Sequence, residues 1–351
     1  MNERIRWGVI GSGGIARRRT IPEGIMRADN ALLAAVFDAD AGANGEVASQ
    51  FGAAAAGSMK ELLARDDVDA VYVATPADLH CRQVLAAAKA GKHVLCEKPL
   101  GLSRREDRRM IDACREARLR LGVGFMMRFV AQHQAALEMI RQGRIGRMVF
   151  ARAQLSAWYP PIPGAWRQDP SRGGGGSLID MGSHCIDLLE MFLGPARRVS
   201  CRTGNLVQKY PSEDAATVLL EFDGGAHGVV DAFFCIPDAA SLNRLEIYGS
   251  AGAILAEGTI GQGAEGRMVA LLGGGDAGYD AQQSRQGAHG VPIAPTPVNP
   301  YQAEIAEFGR AVLEGRQPAV DGQAGLRSTR VLGACYKSAR TGRSVEVPTE
   351  E

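Results

Sequence analysis

What this chain has least of narrows the field first. No run of apolar residues reaches the roughly 20 needed to span a bilayer, and the amino-terminal stretch Met1-Asn2-Glu3-Arg4-Ile5-Arg6 has no apolar core of a secretory signal. A membrane protein is therefore not expected, and a cytoplasmic one is. Charge of one sign is also missing: 40 basic against 39 acidic residues leave a formal net charge of +1. No strong field then recruits a nucleic acid or an anionic membrane. Seven cysteines are present, at positions 81, 96, 114, 185, 201, 235 and 335, without a Cys-x-x-Cys pair or a clustered Cys/His spacing. Reduced thiols and no metal site are expected.

At 351 residues the chain exceeds the ~250–300 at which single cores stop growing, so two domains are expected. Residues 1–125 read as a dinucleotide-binding half. Ile5 to Ile10 is a short apolar run leading into Gly11-Ser12-Gly13-Gly14-Ile15-Ala16, which fits Gly-x-Gly-x-x-Gly/Ala. The first glycine permits the tight turn, the second lets backbone approach a pyrophosphate, and small Ala16 lets helix and strand pack closely. A second apolar run, Leu32 to Phe37, ends in Asp38, near the spacing expected for a carboxylate that accepts ribose hydroxyls. Gly11, Gly13, Gly14, Ile15 and Asp38 are thus the candidate cofactor contacts of this segment. Apolar runs and helical stretches then alternate through Leu121 to Phe125, the pattern of a doubly wound parallel sheet. Ser103 and Glu106 have capping-box spacing.

Two strands of that sheet end in X-Pro, at Thr75-Pro76 and at Lys98-Pro99. Proline cannot continue a ladder, so Thr75, Pro76, Glu97 and Lys98 fall at the carboxyl edge, where open parallel sheets bind ligands. His80, five residues beyond Thr75, suits either a cofactor contact or a structural histidine. After Phe125 the rhythm changes. An irregular segment holds Trp158, Tyr159, three prolines and Trp166-Arg167, as a binding-site wall or as a loop stapled to its core. Ser177 and Asp180 have capping-box spacing ahead of a helix running to about Leu193. On it Asp180, His184 and Asp187 lie at i, i+4 and i+7, a narrow polar stripe between apolar flanks. Either the stripe faces a cleft or Asp180 only caps. Beyond it come mostly antiparallel strands, near 199–207, 217–222, 227–234, 244–248, 253–256 and an edge at 267–272. A long loop over 273–297 and two closing helices, about 300–314 and 322–341, complete residues 126–351. This half is expected to bind substrate and form oligomers, with its last helices able to return to the first half.

Glu97-Lys98-Pro99 together with Asp180-x-Gly182-x-His184 resembles the Gfo/Idh/MocA family, the oxidoreductases related to glucose-fructose oxidoreductase and inositol dehydrogenase. The resemblance spans nearly the whole chain and implies a Rossmann domain followed by an α+β domain with an open-faced, mostly antiparallel sheet. It implies NAD as cofactor and Lys98, Asp180 and His184 as the catalytic set. Thr75, Pro76, His80 and Glu97 would belong to the cofactor rim, and Trp166-Arg167 to a motif that lines the cofactor or sugar pocket. Arg128 and Tyr159 join Lys98, Asp180 and His184 as substrate contacts. The proline common in the family after Arg-Phe or Arg-Tyr is absent from Arg128-Phe129-Val130.

The chemistry these residues suit is hydride exchange between nicotinamide and a carbinol or carbonyl carbon of a sugar, cyclitol or related polyol. The proton transfer needs a side-chain type that titrates near neutrality, and His184 is the best candidate for it. Lys98 suits polarisation of the reacting oxygen, and Asp180 orients the pair. Two rivals are a family-related hydrolase or lyase that recycles a tightly bound NAD, and a non-catalytic nucleotide sensor. NAD is expected over NADP, since no Lys or Arg lies between Asp38 and Lys60 to offset a 2′-phosphate. Large apolar side chains on both faces of Val229 to Phe234 predict a homodimer or homotetramer through the second-domain sheet.

Overall fold

A computed structural model describes residues 3–263, 265–273 and 289–349. Backbone contacts divide the chain into two compact units that are not simple halves. The first contains Met1–Phe129, Gly164–Gly175 and Asn299–Arg330, and the second Val130–Pro163, Gly176–Val298 and Val331–Glu351.

The first unit is built on a parallel sheet of β1 (Ile5–Ile10), β2 (Ala31–Phe37), β3 (Ala54–Ala55), β4 (Ala70–Val73), β5 (His93–Cys96) and β6 (Leu121–Val123), in the order β3-β2-β1-β4-β5-β6. All four residues of β4 are buried, as expected of strands covered on both faces. Alternate side chains supply two apolar layers. Trp7, Val9, Val36, Tyr72 and Leu95 pack on one face with Ile305 and Phe308 of the helix Pro300–Leu313. Ile10, Val71, Val73, Val94 and Val123 pack on the other with Met110 of the helix Arg104–Glu116. The order reverses between β1 and β4, so the carboxyl ends of these strands flank the switch point at which ligands bind in such sheets. Ser103 caps its helix by accepting the Glu106 N–H at 3.3 Å. The Glu106 carboxylate reaches one residue further back than a capping box would, to the Leu102 N–H at 2.8 Å.

The second unit carries β7 (Met148–Ser156), β8 (Ala196–Gly204), β9 (Ala215–Phe222), β10 (His227–Phe233), β11 (Arg244–Gly249), β12 (Gly252–Glu257), β13 (Arg267–Leu272), β14 (His289–Pro292) and β15 (Val345–Glu346). Their order is β14-β13-β12-β11-β7-β10-β9-β8-β15, antiparallel except for the β7/β10 pair. Register puts Gly228, Val230 and Ala232 on the face of the helix Ser183–Leu193: a Cβ on Gly228 would meet Leu189 at 3.2 Å.

Three sequence expectations need correction here. The edge expected at 267–272 is internal, because β14 pairs outside it. The loop expected over 273–297 therefore contains a strand, and its residues 274–288 lie outside the described residues. The strand expected to reach Val207 stops at Gly204, because the buried Asp214 carboxylate accepts the N–H groups of Leu206, Val207 and Gln208 at 2.7, 2.8 and 2.6 Å. Three ladder donors are thus diverted into a turn around one carboxylate. On β10, Asp231 stands between Val229 and Phe233 on one face and pairs with Arg152 at 2.7 Å.

Candidate active site

The glycine turn after β1 is closed from three sides. Gly11 has φ +84°, and a Cβ on it would stand 2.7 Å from the Thr75 methyl and 2.8 Å from the Thr75 nitrogen. Any other residue would clash with the end of β4 and be strained as well. The Gly13 N–H donates to Asp38 Oδ2 at 2.9 Å, and Asp38 Oδ1 accepts from the Asp40 N–H at 3.0 Å. Glycine turn and ribose-type carboxylate thereby form one structure at the ends of β1 and β2. Among the described residues nothing beyond its chain neighbours lies within 4 Å of where a Cβ on Gly14 would stand, so the turn presents bare backbone. The cradle fits a dinucleotide: a close-approach turn, a helix beginning at Ala16 and a carboxylate one strand away. Ile15 is half-buried at the start of that helix.

Thr75 and Pro76 end β4 and are half-buried. The Thr75 hydroxyl donates to Gln83 Oε1 at 2.6 Å. His80, expected at the cofactor, is 1% exposed. Its Nδ1 lies 2.8 Å from the Pro99 carbonyl and its Nε2 2.9 Å from the Thr75 carbonyl. Both partners can only accept, so a neutral ring donates to one of them, and the buried histidine bridges the two loops. Burial lowers its pKa, while the two carbonyls act in the opposite direction. Glu97 also turns inward. Its Oε1 accepts from the Tyr72 hydroxyl and its Oε2 from the Lys98 N–H at 3.2 Å. Lys98 follows β5, half-buried, on the same carboxyl edge of the sheet as Gly11 and Thr75.

Trp166 and Arg167 belong to the first unit. The Arg167 guanidinium lies 4.2 Å over the Trp166 ring, and a short helix Pro170–Gly173, capped by Asp169, follows them. Arg172 of that helix reaches Asp78, beyond Pro76, at 3.7 Å. Loop 164–175 is thus tied to the rim that Thr75 begins. Arg128, half-buried in a single turn Met126–Phe129, closes the first stretch of this unit.

Tyr159, Asp180 and His184 belong to the second unit. Tyr159 is held among aromatics, 4.9 Å from the Phe234 ring and 6.3 Å from that of Tyr210, whose hydroxyl donates to the Tyr159 carbonyl at 2.9 Å. Trp158 beside it is exposed. The capping box expected of Ser177 and Asp180 is not formed. Ser177 makes no side-chain cap bond, and Leu178–Gly182 is a π-helical turn that passes into the α-helix Ser183–Leu193. Glu213 takes over the cap: its Oε1 accepts from the Leu178 N–H at 3.1 Å and from the Tyr336 hydroxyl at 2.9 Å. Its carbonyl accepts from the Ser177 N–H at 3.0 Å. A Cβ on Gly176 would stand 1.9 Å from that carbonyl, so only glycine admits this approach. Asp180 and His184 are half-buried, but Asp187 is 3% exposed. The expected stripe therefore sinks into the interior at its third member.

Sequence patterns did not point to Glu213, Tyr336, Tyr72 or Thr20, because each acts on a segment distant in the chain. No group of three or more His, Cys, Asp or Glu side chains suited to a metal ion occurs among the described residues. No described helix is long and apolar enough to cross a membrane.

Residues 5–125 match the description "Oxidoreductase family, NAD-binding Rossmann fold", and residues 133–255 match "GFO/IDH/MocA C-terminal domain". The chain is 32% identical over 347 residues to a 1,5-anhydro-D-fructose reductase of Ensifer adhaerens, covering 98% of this chain and 99% of that protein. It is 31% identical to a D-xylose 1-dehydrogenase (NADP(+)) of Haloferax volcanii, covering 97% and 99%. Among solved structures, an aldose-aldose oxidoreductase of Caulobacter crescentus complexed with glycerol superposes with a TM-score of 0.87 at 27% identity, covering 98% of this chain and all of that one.

Proposed function

Because the chain belongs to the Gfo/Idh/MocA family of NAD-binding oxidoreductases that act on sugars and polyols, we propose that it is an NAD-preferring dehydrogenase or reductase of a sugar, cyclitol or related polyol. The observation that carries this reading is that one sheet edge bears Gly11 backed by Thr75, Gly13 bonded to Asp38, and Lys98. Those groups suit a nucleotide and a cation for the reacting oxygen on the same rim.

In this reading Gly11, Gly13, Gly14 and Ile15 bind the pyrophosphate, Asp38 the ribose, and Thr75, Pro76, Trp166 and Arg167 the remaining cofactor surface. NAD supplies the hydride acceptor when bound. Lys98, a cation at the end of β5, polarises the substrate oxygen and stabilises the alkoxide character that develops there. His184 accepts the hydroxyl proton as the carbinol is oxidised and returns it in the reverse direction. Asp180, one helical turn before His184, orients the imidazole. Tyr159 and Arg128 hold the remaining hydroxyl groups of the substrate. The π-helical turn anchored by Glu213 sets where Asp180 and His184 emerge.

The test is turnover by nicotinamide absorbance over a panel of aldoses, anhydro-sugars and cyclitols with NAD and NADP. Reduction of NAD by a member of the panel is the expected result. Conversion of substrate without net nicotinamide reduction would replace the dehydrogenase by an internally recycling hydrolase or lyase. His184→Ala should lose about 10²–10⁴ of the turnover while NADH still binds. Near-normal turnover of the folded variant would remove His184 from the mechanism.

A further inference from the structure

A buried polar chain in the first unit is not used by the chemistry above. Tyr72 of β4 is 0% exposed in a layer otherwise made of Trp7, Leu95, Ile305 and Phe308. Its hydroxyl accepts a hydrogen bond from Thr20, also 0% exposed, at 3.0 Å. It donates in turn to Glu97 Oε1. Glu97 Oε2 accepts the Lys98 N–H at 3.2 Å. Gly124 makes room for this carboxylate, since a Cβ there would stand 3.2 Å from Glu97 Cδ. The chain of bonds therefore starts on the helix Ala16–Ile25, which opens the nucleotide cradle, and ends on the backbone of Lys98.

Glu304 adds to the cluster. It is 2% exposed on the helix Pro300–Leu313, and its Oε1 has no hydrogen-bond partner among the described residues. Burial, and then the charge of Glu97, push its carboxyl well above the usual carboxylate range. Burial and Glu97 likewise raise the Tyr72 hydroxyl. Both causes favour the protonated form of Glu304. Glu97 is the acceptor to which Tyr72 donates. An apolar residue of Tyr72's shape would fill the same volume without burying a hydroxyl, so bulk alone does not account for this arrangement.

We infer that Tyr72 is a positioning residue for Lys98, aiming it through Glu97 from the helix that carries the glycine turn. Fastening both the Glu97 carboxylate and the following N–H fixes the peptide plane between Glu97 and Lys98. The direction in which the lysine side chain leaves the backbone is fixed with it. The inference rests on the catalytic reading of Lys98.

The test compares wild type, Tyr72→Phe, Lys98→Ala and the double variant, all full length, by kcat, KM, NADH dissociation constant and melting temperature. Tyr72→Phe should lower kcat by about 10- to 100-fold while NADH affinity changes by less than about twofold, because misplacing a reacting group by a fraction of an ångström costs rate rather than nucleotide binding. In the Lys98→Ala background the same substitution should change the residual turnover by less than about twofold, since the group it positions is gone. A full loss in both backgrounds, or near-normal turnover of folded Tyr72→Phe, overturns the inference while leaving the catalytic reading intact. Wild-type turnover by Lys98→Ala overturns the catalytic reading itself, and this inference with it. Should Tyr72→Phe not fold, Thr20→Val breaks the chain one link earlier and is read by the same four measurements, with the same outcomes deciding.

Discussion

Asp38 shows how one side chain can serve both fold and ligand. Each of its oxygens already accepts a backbone N–H, from Gly13 and from Asp40, and each keeps a lone pair for a ribose hydroxyl. Two of the three neighbouring arginines are engaged elsewhere, Arg17 with Glu46 at 2.8 Å and Arg19 with Glu23 at 2.7 Å, and the third, Arg18, is exposed on the same helix. A 2′-phosphate would meet the Asp38 carboxylate with little to offset it, so the NADH dissociation constant should be lower than that for NADPH. Asp38→Ala should narrow the gap mainly by weakening NADH, by about 10-fold or more for a lost charged hydrogen bond. Tighter NADPH binding by wild type would reverse the preference, and the NADP-linked Haloferax relative makes that comparison worth making directly. Asp107 is a residue whose effect is on stability. It is 0% exposed beneath Gly101, and burial pushes its carboxyl up to about 7, despite the nearby Thr329 hydroxyl and Gly101 N–H. The folded chain thus keeps a proton that the unfolded chain releases above about pH 4. Its contribution to stability is complete below that pH, falls as pH rises through about 7, and then levels off. The span corresponds to about 4 kcal/mol as an order of magnitude. Asp107→Asn cannot lose that proton, so its stability relative to wild type should rise between about pH 4 and 7 and stay constant above. Urea titrations of both proteins across that range check it, and a flat difference would place Asp107 in a wetter environment.

Elements whose cause is local are the ones legible in sequence. β5 occupies His93–Cys96, the apolar run that ends before Glu97. The long helices Pro300–Leu313 and Gly322–Thr341 lie where helical periodicity put them, and the glycine turn meets Asp38 as their spacing suggests. Where a distant group decides the backbone, the pattern is silent. Asp214 ends β8 by drawing three N–H groups away from a ladder, and β14 forms where composition suggested only loop. The π-helical turn Leu178–Gly182 is the instance nearest the chemistry. Its local sequence offers a Ser177/Asp180 cap, yet Ser177 makes no side-chain cap bond and Glu213 captures the Leu178 N–H. Glu213→Ala should therefore act on both stability and rate. It removes an acceptor from the Leu178 N–H and leaves the half-buried Tyr336 hydroxyl without its bond, a cost of about 2–4 kcal/mol. The helix start carrying Asp180 and His184 should loosen, lowering kcat while NADH affinity, set in the other unit, holds. Glu213→Gln keeps an acceptor oxygen and should recover most of both losses. A Glu213→Ala variant that melts like wild type and turns over normally would show that the turn is held by other contacts.

On the scale of the whole molecule, two domain types were legible and the last helices could be read as able to return to the first, but nothing in the sequence marked Gly164–Gly175 as part of it. Gly164–Gly175 and Asn299–Arg330 join the first unit across long stretches of chain, a consequence of packing that periodicity does not carry. Assembly is a property of this scale too. One face of the second-unit sheet is covered by the helix Ser183–Leu193 and its neighbours. Register places Phe150, Leu219, Val229, Phe233, Tyr248 and Leu255 on the opposite face, where Leu219 is 52% and Tyr248 37% exposed. Phe150 and Tyr248 meet there with ring centroids 6.0 Å apart, and Arg152, opposite Val229 on the same face, pairs with Asp231. At ~4.8 Å per strand and ~20–30 Å of strand length, the face covers roughly 800–1,200 Å². That is about one partner's share of a stable protein interface, and its apolar members are the part that a partner subunit would cover. A homodimer or homotetramer that buries this face is the expected state. Light scattering at micromolar concentration should give a mass of at least two chains. Leu219→Glu combined with Tyr248→Lys should dissociate the assembly, because each introduces a charge at the centre of the buried patch, and the far-ultraviolet circular dichroism should persist because neither side chain touches the helix-covered core. A monomeric mass for wild type would mean that the face is exposed in solution and the interface lies elsewhere or does not exist.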